Sequence, residues 1–349
     1  MSYIRLEDVT RRFGAITAVD RLNLSISRGE CFSLLGPSGC GKTTTLRMLA
    51  GFEDLDEGEI HVGDRLLSSK KSGYYLPPEK RDFGMVFQAF AVWPHLSVYE
   101  NVAFPLRVRK TPAAELDKRV REALSHTNLT DAAKASPADL SGGGKQRVAL
   151  ARALAINPDV MLLDEPLSSL DPHLREEMRF EIKDLQRRFG FSIIYVTHDQ
   201  SEAMALSDRV LVMRLGVAQQ VDTPVNVYTR PANKFVFSFI GLSNFLDVEG
   251  DGTNFKTSRG GLPLPCAPPP ELANGPSCLA CRPSEVEFTG EEGLTGVVAR
   301  KSFLGESIDY RISIGEQSLR VQKGRRSTGP EPGETCRLRF IRPLWYPAD

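Results

Sequence analysis

Eight consecutive residues form a pattern suited to binding phosphate groups. The segment Gly36-Pro37-Ser38-Gly39-Cys40-Gly41-Lys42-Thr43 fits the phosphate-binding loop, whose glycines let backbone N–H groups close around phosphate oxygens. In this pattern Lys42 would reach the β and γ phosphates, and the Thr43 hydroxyl would hold Mg²⁺. A glycine-rich turn without a ligand is the alternative for this segment taken by itself.

The residues on either side of the loop favour phosphate binding. Residues 31–35 are nearly all apolar, as expected of a strand buried on both faces of a parallel sheet. A helix is predicted from about Lys42, and the N-terminus of a helix favours anions. The loop therefore joins a buried strand to a helix, which is the context that the motif requires.

Two carboxylates follow a second apolar segment. Asp164 and Glu165 come directly after residues 160–163, a predicted buried strand, and open α/β sheets bind ligands at the carboxyl ends of their strands. Asp164 suits the Mg²⁺ shell, and Glu165 could be the general base that orients and deprotonates an attacking water. An acidic pair that caps the next turn is the alternative, which the phosphate loop upstream disfavours.

The order of elements predicts two domains. Strands that alternate with helices up to about residue 235 indicate an α/β domain with a mostly parallel core sheet. From Phe245 onward the segments are short, and seven prolines between Pro263 and Pro283 exclude long helices. We assign residues 1–240 to the α/β domain and residues 241–349 to a small all-β domain.

The chain resembles the ATP-binding subunits of ABC transporters over essentially its whole length. Besides the two motifs above, the segment Leu140-Ser141-Gly142-Gly143 is similar to the signature motif of that family. The resemblance implies an α/β P-loop NTPase fold of the ABC type with a helical subdomain, followed by a small OB-like β domain of the TOBE type. In the family, two subunits pack head to tail, and the signature motif of one closes on the γ-phosphate held by the other. Without the family, the glycines of this segment would indicate only a flexible loop.

The resemblance also implies further site residues. Phe13 matches the aromatic residue that stacks on adenine, Gln88 the Q-loop glutamine, and His198 the switch histidine, while Asp171 lies in the D-loop. Taken singly, Phe13 could be a core residue and His198 a structural one. The implied catalytic residues are Lys42, Gln88, Glu165 and His198. The implied ATP contacts are Phe13, Gly36, Ser38, Gly39, Cys40, Gly41, Lys42, Thr43, Thr44, Ser141, Gly142, Gly143 and Asp171. The implied Mg²⁺ contacts are Thr43, Gln88 and Asp164.

The signature segment departs from the family pattern at one position. Gly144 stands where the family usually has glutamine, and Lys145 follows it. The extra glycine adds backbone freedom that is lost on ordering, at a cost of up to about 1 kcal/mol. We expect ATP-driven closure to survive, because Ser141, Gly142 and Gly143 are present.

Composition limits the kinds of partner. Among the 349 residues, Lys+Arg and Asp+Glu are both 44, so the formal net charge is zero, which argues against a nucleic-acid partner. Apolar runs such as residues 235–242 fall far short of the roughly 20 residues of a membrane helix, and the N-terminus lacks a secretory pattern. We expect a peripheral protein at the cytoplasmic face of the cell membrane.

The cysteines are predicted to be reduced thiols, because the six are widely scattered in a chain able to build its own core. Cys278 and Cys281 would face opposite sides of a strand, which disfavours a metal site. Cys40 lies at a predicted helix N-terminus, which lowers thiol pKa values. We therefore expect thiol reagents to inhibit the protein by blocking the phosphate loop.

Two regions indicate solute import. Ser243-Asn244-Phe245 and Ala280-Cys281-Arg282-Pro283 resemble the TOBE domains of importer ATPases for sugars, polyamines, sulfate and ferric iron. Residues 89–96 and 101–105 are rich in aromatic and apolar side chains, which favour the centre of an interface; a core position for Phe90 and Trp93 is the alternative. The resemblance implies a homodimer that acts on separate transmembrane permease subunits and, indirectly, on a solute-binding protein.

The solute is the least determined property. Short segments at residues 91–95, 199–203 and 243–245 resemble ferric-iron and polyamine importer ATPases more than sugar ones. Ferric iron is the first prediction, with a polyamine, a sugar or another small solute as the alternative. The ATPase does not contact the solute in this architecture, so its sequence carries specificity only by ancestry. A soluble ABC ATPase that acts on ribosomes or DNA and a small-molecule kinase are the other classes considered. A kinase would need neither the Ser141 motif nor the terminal β domain.

Overall fold

The computed structural model describes residues 2–290 and 292–348, which divide into two compact units. The first unit ends at Ala232 and the second begins at Asn233. The boundary proposed from the sequence, after residue 240, lies a few residues further on. The difference arises because the short helix that starts at Lys234 packs within the second unit, where the Arg282 guanidinium donates a hydrogen bond of 3.0 Å to the Phe237 carbonyl oxygen.

The first unit contains eleven strands and seven helices among the described residues. In chain order they are β1 (Ser2–Phe13), β2 (Ile16–Ser27), β3 (Cys31–Leu35), α1 (Lys42–Ala50), β4 (Glu57–Val62), β5 (Arg65–Ser69), β6 (Tyr74–Tyr75), β7 (Gly84–Val86), α2 (Val98–Val108), α3 (Ala113–His126), α4 (Gly142–Ala155), β8 (Val160–Asp164), α5 (Pro172–Phe189), β9 (Ser192–Thr197), α6 (Gln200–Leu206), β10 (Arg209–Arg214), β11 (Val217–Asp222) and α7 (Pro224–Thr229).

A six-stranded sheet in the order β11-β10-β3-β9-β8-β7 forms the centre of the first unit. Its strands are parallel except for β11, which pairs antiparallel with β10 at one edge. Strands β3, β8 and β9 are buried along their whole length, as predicted from their apolar runs. Because β9 lies between β3 and β8, the loops that follow these three strands meet at one edge of the sheet.

A second, antiparallel sheet has the order β2-β1-β4-β5-β6. The sequence predicted only residues 22–26 of this sheet, which lie within β2. Helix α1 packs between the two sheets, since Leu46 and Leu49 share one buried cluster with Ile4 of β1 and Leu34 of β3. This packing anchors the helix that follows the phosphate loop.

Helices α2, α3 and α4 form the helical subdomain that the resemblance implies. Their apolar faces meet in a separate buried cluster that includes Val102, Val120 and Val148. Helix α2 begins with a capping box, in which Ser97 and Glu100 satisfy each other's backbone N–H groups. The subdomain therefore has its own core, distinct from that of the sheets.

The second unit is mostly β structure, as predicted. Its helix and strands are α8 (Lys234–Phe239), β12 (Asn244–Asp251), β13 (Phe255–Thr257), β14 (Asn274–Cys281), β15 (Val286–Thr289), β16 (Leu294–Phe303), β17 (Ser307–Ile314), β18 (Gln317–Gly324), β19 (Thr335–Phe340) and β20 (Leu344–Pro347). The strands form two antiparallel sheets, ordered β13-β12-β14-β20 and β15-β19-β16-β17-β18, around one apolar core. Within the described residues of the whole chain, no helix has the length and apolarity needed to cross a membrane.

Candidate active site

The phosphate loop connects β3 to α1, and two of its glycines are required by close packing. A Cβ atom on Gly36 would overlap the carbonyl oxygen of Met213. Gly41, the N-cap of α1, has φ +106°, and a Cβ atom there would overlap the carbonyl oxygen of Ala18. Only glycine fits both positions, so the loop stays close to the strands around it.

The Lys42 side chain folds back over the loop. Its ammonium donates hydrogen bonds to the carbonyl oxygens of Gly36 at 2.7 Å and Pro37 at 3.0 Å, and the residue is 5% exposed. The positive charge is therefore held over the segment of the loop in which Ser38 and Gly39 are exposed.

Asp164 and Thr43 form a pair of oxygen donors at the sheet edge. The Thr43 hydroxyl donates to Oδ1 of Asp164 at 3.2 Å. Burial raises the pKa of the Asp164 carboxyl, and the Thr43 hydrogen bond offsets part of that effect. A carboxylate and a hydroxyl are the hard oxygen ligands that Mg²⁺ prefers, so the residues present fit that ion.

Two side chains from neighbouring strand ends converge on the carboxylate of Glu165. Oε2 of Glu165, which follows β8, lies 3.4 Å from Nε2 of Gln88 and 3.0 Å from Nδ1 of His198. Gln88 follows β7 and His198 follows β9. The structure thus brings together three of the four residues that the resemblance implies to be catalytic, Gln88, Glu165 and His198.

The backbone of Glu165 adopts an unusual conformation. Its φ of +44° lies in the left-handed region, which costs a non-glycine residue on the order of 1 kcal/mol. Its N–H group donates to the Val196 carbonyl oxygen at 2.9 Å, and its own carbonyl accepts from the Ser168 hydroxyl at 2.9 Å. These bonds hold the strained residue so that its carboxylate meets Gln88 and His198.

Arg175, which sequence reasoning missed, ties the His198 loop to the start of α5. Its guanidinium donates to Oδ2 of Asp199 at 3.2 Å and to the Leu170 carbonyl oxygen at 3.1 Å. Asp199 is also the N-cap of α6. An arginine at a helical position carries no sequence signal for such a role, because Asp199 lies 24 positions further along the chain.

The signature residues and Asp171 lie at two helix starts. Ser141 caps α4, with its hydroxyl oxygen accepting from the Gly144 N–H at 3.2 Å, and Asp171 caps α5 by accepting from the Leu174 N–H at 3.1 Å. A Cβ on Gly143 would lie 2.6 Å from the Leu174 side chain. In the part of the chain that the structure describes, no hydrogen bond joins these residues to the phosphate loop.

Phe13, the predicted adenine contact, is at the end of β1. It is 45% exposed, and the Arg11 guanidinium lies 4.6 Å from the centre of its ring. An exposed ring is available for stacking, and its position is not that of a core residue.

The predicted lowering of the Cys40 thiol pKa is wrong. The residue is only 2% exposed, and burial raises the pKa of its thiol, with the Lys42 ammonium offsetting only part of the effect. Desolvation of the thiolate therefore outweighs the helix N-terminus on which the expectation rested. The Cys40 side chain packs in the buried apolar cluster of the first unit.

Comparison with known proteins identifies the family of the chain. The ABC transporter family matches residues 19–168 and the TOBE domain matches residues 279–343. Two solved structures, a dimeric bacterial ABC transporter cassette and the same cassette in a post-hydrolysis state bound to ADP and Pi, align with TM-scores of 0.55 and 0.54. Both are 33% identical to this chain and cover 63% of it and 98% of their own length. The chain is an ABC-type ATPase that binds and hydrolyses ATP.

Curated relatives identify the kind of ABC protein to which this chain belongs. The spermidine/putrescine import ATP-binding protein of Rubrobacter xylanophilus is 45% identical over 345 residues, 95% of this chain and 89% of the relative. The trehalose/maltose import ATP-binding protein of Thermococcus litoralis is 53% identical over 250 residues, 71% of this chain and 67% of the relative. The chain belongs to the family of ABC import ATP-binding subunits with a C-terminal TOBE domain. Neither relative is named for iron, so the prediction of ferric iron is not supported.

Proposed function

We propose that this chain hydrolyses ATP to power the import of a polyamine. The observation that carries the proposal is the 45% identity to a spermidine/putrescine import subunit along 95% of the chain. A second such protein, from Pseudomonas aeruginosa, is 44% identical over 89% of the chain. Because the ATPase does not touch the solute, ancestry over both domains is the best guide to the transport system.

Import of a sugar is the second candidate. The trehalose/maltose relative has the higher identity, 53%, but its match covers 71% of this chain. A match along 95% of the chain spans both units, whereas a match along 71% leaves more than a quarter of the chain uncovered. The longer match therefore favours the polyamine class.

The geometry suggests how the chain's residues act in hydrolysis. The phosphate loop would bind the ATP phosphates, and Lys42 would turn from its carbonyl partners to the β and γ phosphates. Thr43 and Asp164 would hold Mg²⁺, which neutralises phosphate charge when bound, with Gln88 as the further predicted ligand. Glu165 would accept a proton from the attacking water, while His198 orients its carboxylate and Gln88 reaches the same oxygen.

A second copy of the chain would complete each site. The solved cassettes, 33% identical to this chain, are dimeric, and Ser141, Gly142 and Gly143 make no hydrogen bond to their own phosphate loop within the described residues. These groups, together with Asp171, would face the nucleotide of the partner copy. The exposed ring of Phe13 would stack on adenine.

A groove beside Gln88 is the proposed docking site for a permease subunit. Its volume is about 390 Å³, and its lining includes Phe87, Trp93, Phe104, Val108 and Arg152. Phe87, Phe104 and Val108 are at least one-third exposed. Exposed clusters of aromatic side chains are characteristic of the centres of interfaces. Docking there would hold the protein at the cytoplasmic face of the membrane.

The test is to reconstitute the transport system that contains this chain. We would tag the chain, extract it gently from native membranes, identify the co-purifying subunits by mass spectrometry, and place the complex in vesicles. Uptake of labelled spermidine and putrescine, dependent on internal ATP, is expected, with maltose and ferric iron as comparison solutes. Uptake of maltose alone would establish the second candidate, and ribosomal partners without membrane subunits would overturn the import proposal.

A further inference from the structure

Three arginines form a row across one sheet of the second unit. Arg300 of β16 lies directly opposite Arg311 of β17, and Arg311 lies directly opposite Arg320 of β18. Directly opposed residues of antiparallel strands share a face, and strands are about 4.8 Å apart, so the row spans about 10 Å. Like charges in directly opposed positions destabilise a sheet, which makes two such pairs in succession unusual.

A β-bulge creates the first of these pairs. The register shifts between Val298, which pairs with Ile312, and Arg300, which pairs with Arg311. In a regular ladder Ala299 would stand opposite Arg311, and Arg300 would point toward the core. The extra residue re-aims the Arg300 side chain onto the outer face, as bulges near binding sites do.

The row lines a small cavity whose charge is not balanced. The cavity has a volume of about 250 Å³ and is lined by Arg300, Ser302, Leu304, Asp309, Arg311 and Arg320. Its one carboxylate, Asp309, pairs with Arg320. Arg300 and Arg311 donate instead to the hydroxyls of Ser302 at 3.0 Å and Ser318 at 3.3 Å. Neither has an ion pair within the described residues, so the cavity carries an excess of two positive charges.

We propose that this cavity, named here the arginine-row site, binds the phosphate group of a small phosphorylated metabolite. Guanidinium groups match the geometry of phosphate oxygens and donate paired hydrogen bonds to them. A phosphate monoester carries a charge of about −1.5 to −2 at pH 7, which equals the excess in the cavity. The volume leaves room for a short organic group beside the phosphate, next to the Leu304 side chain.

The test is calorimetric titration of the full chain. The phosphate loop is first saturated with Mg²⁺ and ADP, so that it cannot take up the titrant, and glycerol 3-phosphate, inorganic phosphate and citrate are then added in turn. We expect the wild-type chain to bind glycerol 3-phosphate at one further site, and Arg311→Ala to weaken this binding by about tenfold or more. Arg325→Ala, which removes the same charge from an exposed position outside the cavity, is the matched control and should retain wild-type affinity.

Folding is checked on the same variants. Without titrant, Arg311→Ala should melt at or above the wild-type temperature because it removes two like-charge contacts, and a lower melting temperature would contradict the charge argument. Absence of binding by the wild-type chain would overturn the site. If Arg311→Ala and Arg325→Ala weakened the binding of glycerol 3-phosphate equally, general surface charge would account for the binding and the site would be overturned. Tighter binding of citrate than of glycerol 3-phosphate would contradict the assignment of a phosphate ligand.

Discussion

The Nδ1 atom of His198 lies 3.0 Å from Oε2 of Glu165, although the two residues are 33 positions apart in the chain. Glu165 directly follows β8 and has a left-handed backbone conformation. His198 directly follows β9, the neighbouring strand in the sheet. The parallel sheet therefore places the imidazole beside the carboxylate. This contact orients the carboxylate.

Replacing Glu165 by Gln should stop turnover without preventing binding. The amide keeps the shape of the side chain but cannot accept the proton of the attacking water, so we expect the rate of phosphate release to fall by about 10²–10⁴. ATP affinity, measured by nucleotide titration, should stay near wild type, and a closed dimer should accumulate with ATP. His198→Ala combined with Glu165→Gln should cost little more than Glu165→Gln alone, since His198 acts through the Glu165 carboxylate. Unchanged phosphate release in Glu165→Gln would remove the general-base role.

Replacing Asp164 by Asn should stabilise the chain in the absence of Mg²⁺. Burial raises the pKa of the Asp164 carboxyl, because the folded state disfavours the charged form. The folded chain therefore loses stability as the pH rises through the folded-state pKa of this carboxyl. We expect Asp164→Asn to melt at a higher temperature than wild type at pH 7. The difference should shrink toward pH 4, where the wild-type carboxyl is increasingly protonated.

Thermal unfolding between pH 4 and pH 8 measures this effect. Asp184→Asn makes the same chemical change at an exposed position of α5, and its effect on the free energy of unfolding should stay within about 0.5 kcal/mol. Mg²⁺ with ADP should raise the melting temperature of wild type more than that of Asp164→Asn. A lower melting temperature for Asp164→Asn at pH 7 would contradict the argument from burial.

Arg152 should be required for docking of the permease. Its guanidinium donates to the carbonyl oxygens of Ala91 at 2.6 Å and Phe90 at 3.2 Å and lies 4.7 Å from the centre of the Trp93 ring. Phe90 and Ala91 both have left-handed backbones, so these bonds hold a strained segment just after Gln88. We expect Arg152→Leu to lose about 2 kcal/mol of stability and to co-purify with less permease.

The matched control for Arg152 is Arg121→Leu, because Arg121 is an exposed residue of α3 with one i,i+4 ion pair. Its effect on stability should be about 0.5 kcal/mol or less, with normal permease recovery. If Arg152→Leu co-purified with a normal amount of permease, the strained segment at Phe90 and Ala91 would not be needed for docking.

Replacing Gly144 by Gln should leave hydrolysis nearly unchanged. Gly144 lies in the first turn of α4, where its N–H donates to Ser141, rather than in a mobile loop. A side chain gains about 0.5–1 kcal/mol of helix propensity, but its Cβ would lie 3.0 Å from Cβ of Leu140, which offsets the gain. We expect ATPase activity within about twofold of wild type, with Gly144→Ala as the control for propensity alone. A many-fold increase in Gly144→Gln would show that the native glycine impairs the site.

The sequence alone determined the nucleotide site and the class of fold. The phosphate loop, the Asp164-Glu165 pair and the buried runs of β3, β8 and β9 are local patterns, in which residue type and short spacing carry the information. A parallel sheet aligns the carboxyl ends of its strands, so predicting those strands also predicted that Thr43 and Asp164 would meet. The order of elements predicted the all-β character of the second unit in the same way.

Only the tertiary structure decided which distant groups became partners. Arg81 shows this clearly: its buried guanidinium donates to the carbonyl oxygens of Met48 and Leu49 at 2.8 Å each, and nothing near it in the sequence marks that role. The raised pKa of Cys40 and the opposition of Arg300 to Arg311 likewise depend on burial and on strand register. These properties arise from contacts between residues far apart in the chain, which local propensity and spacing do not encode.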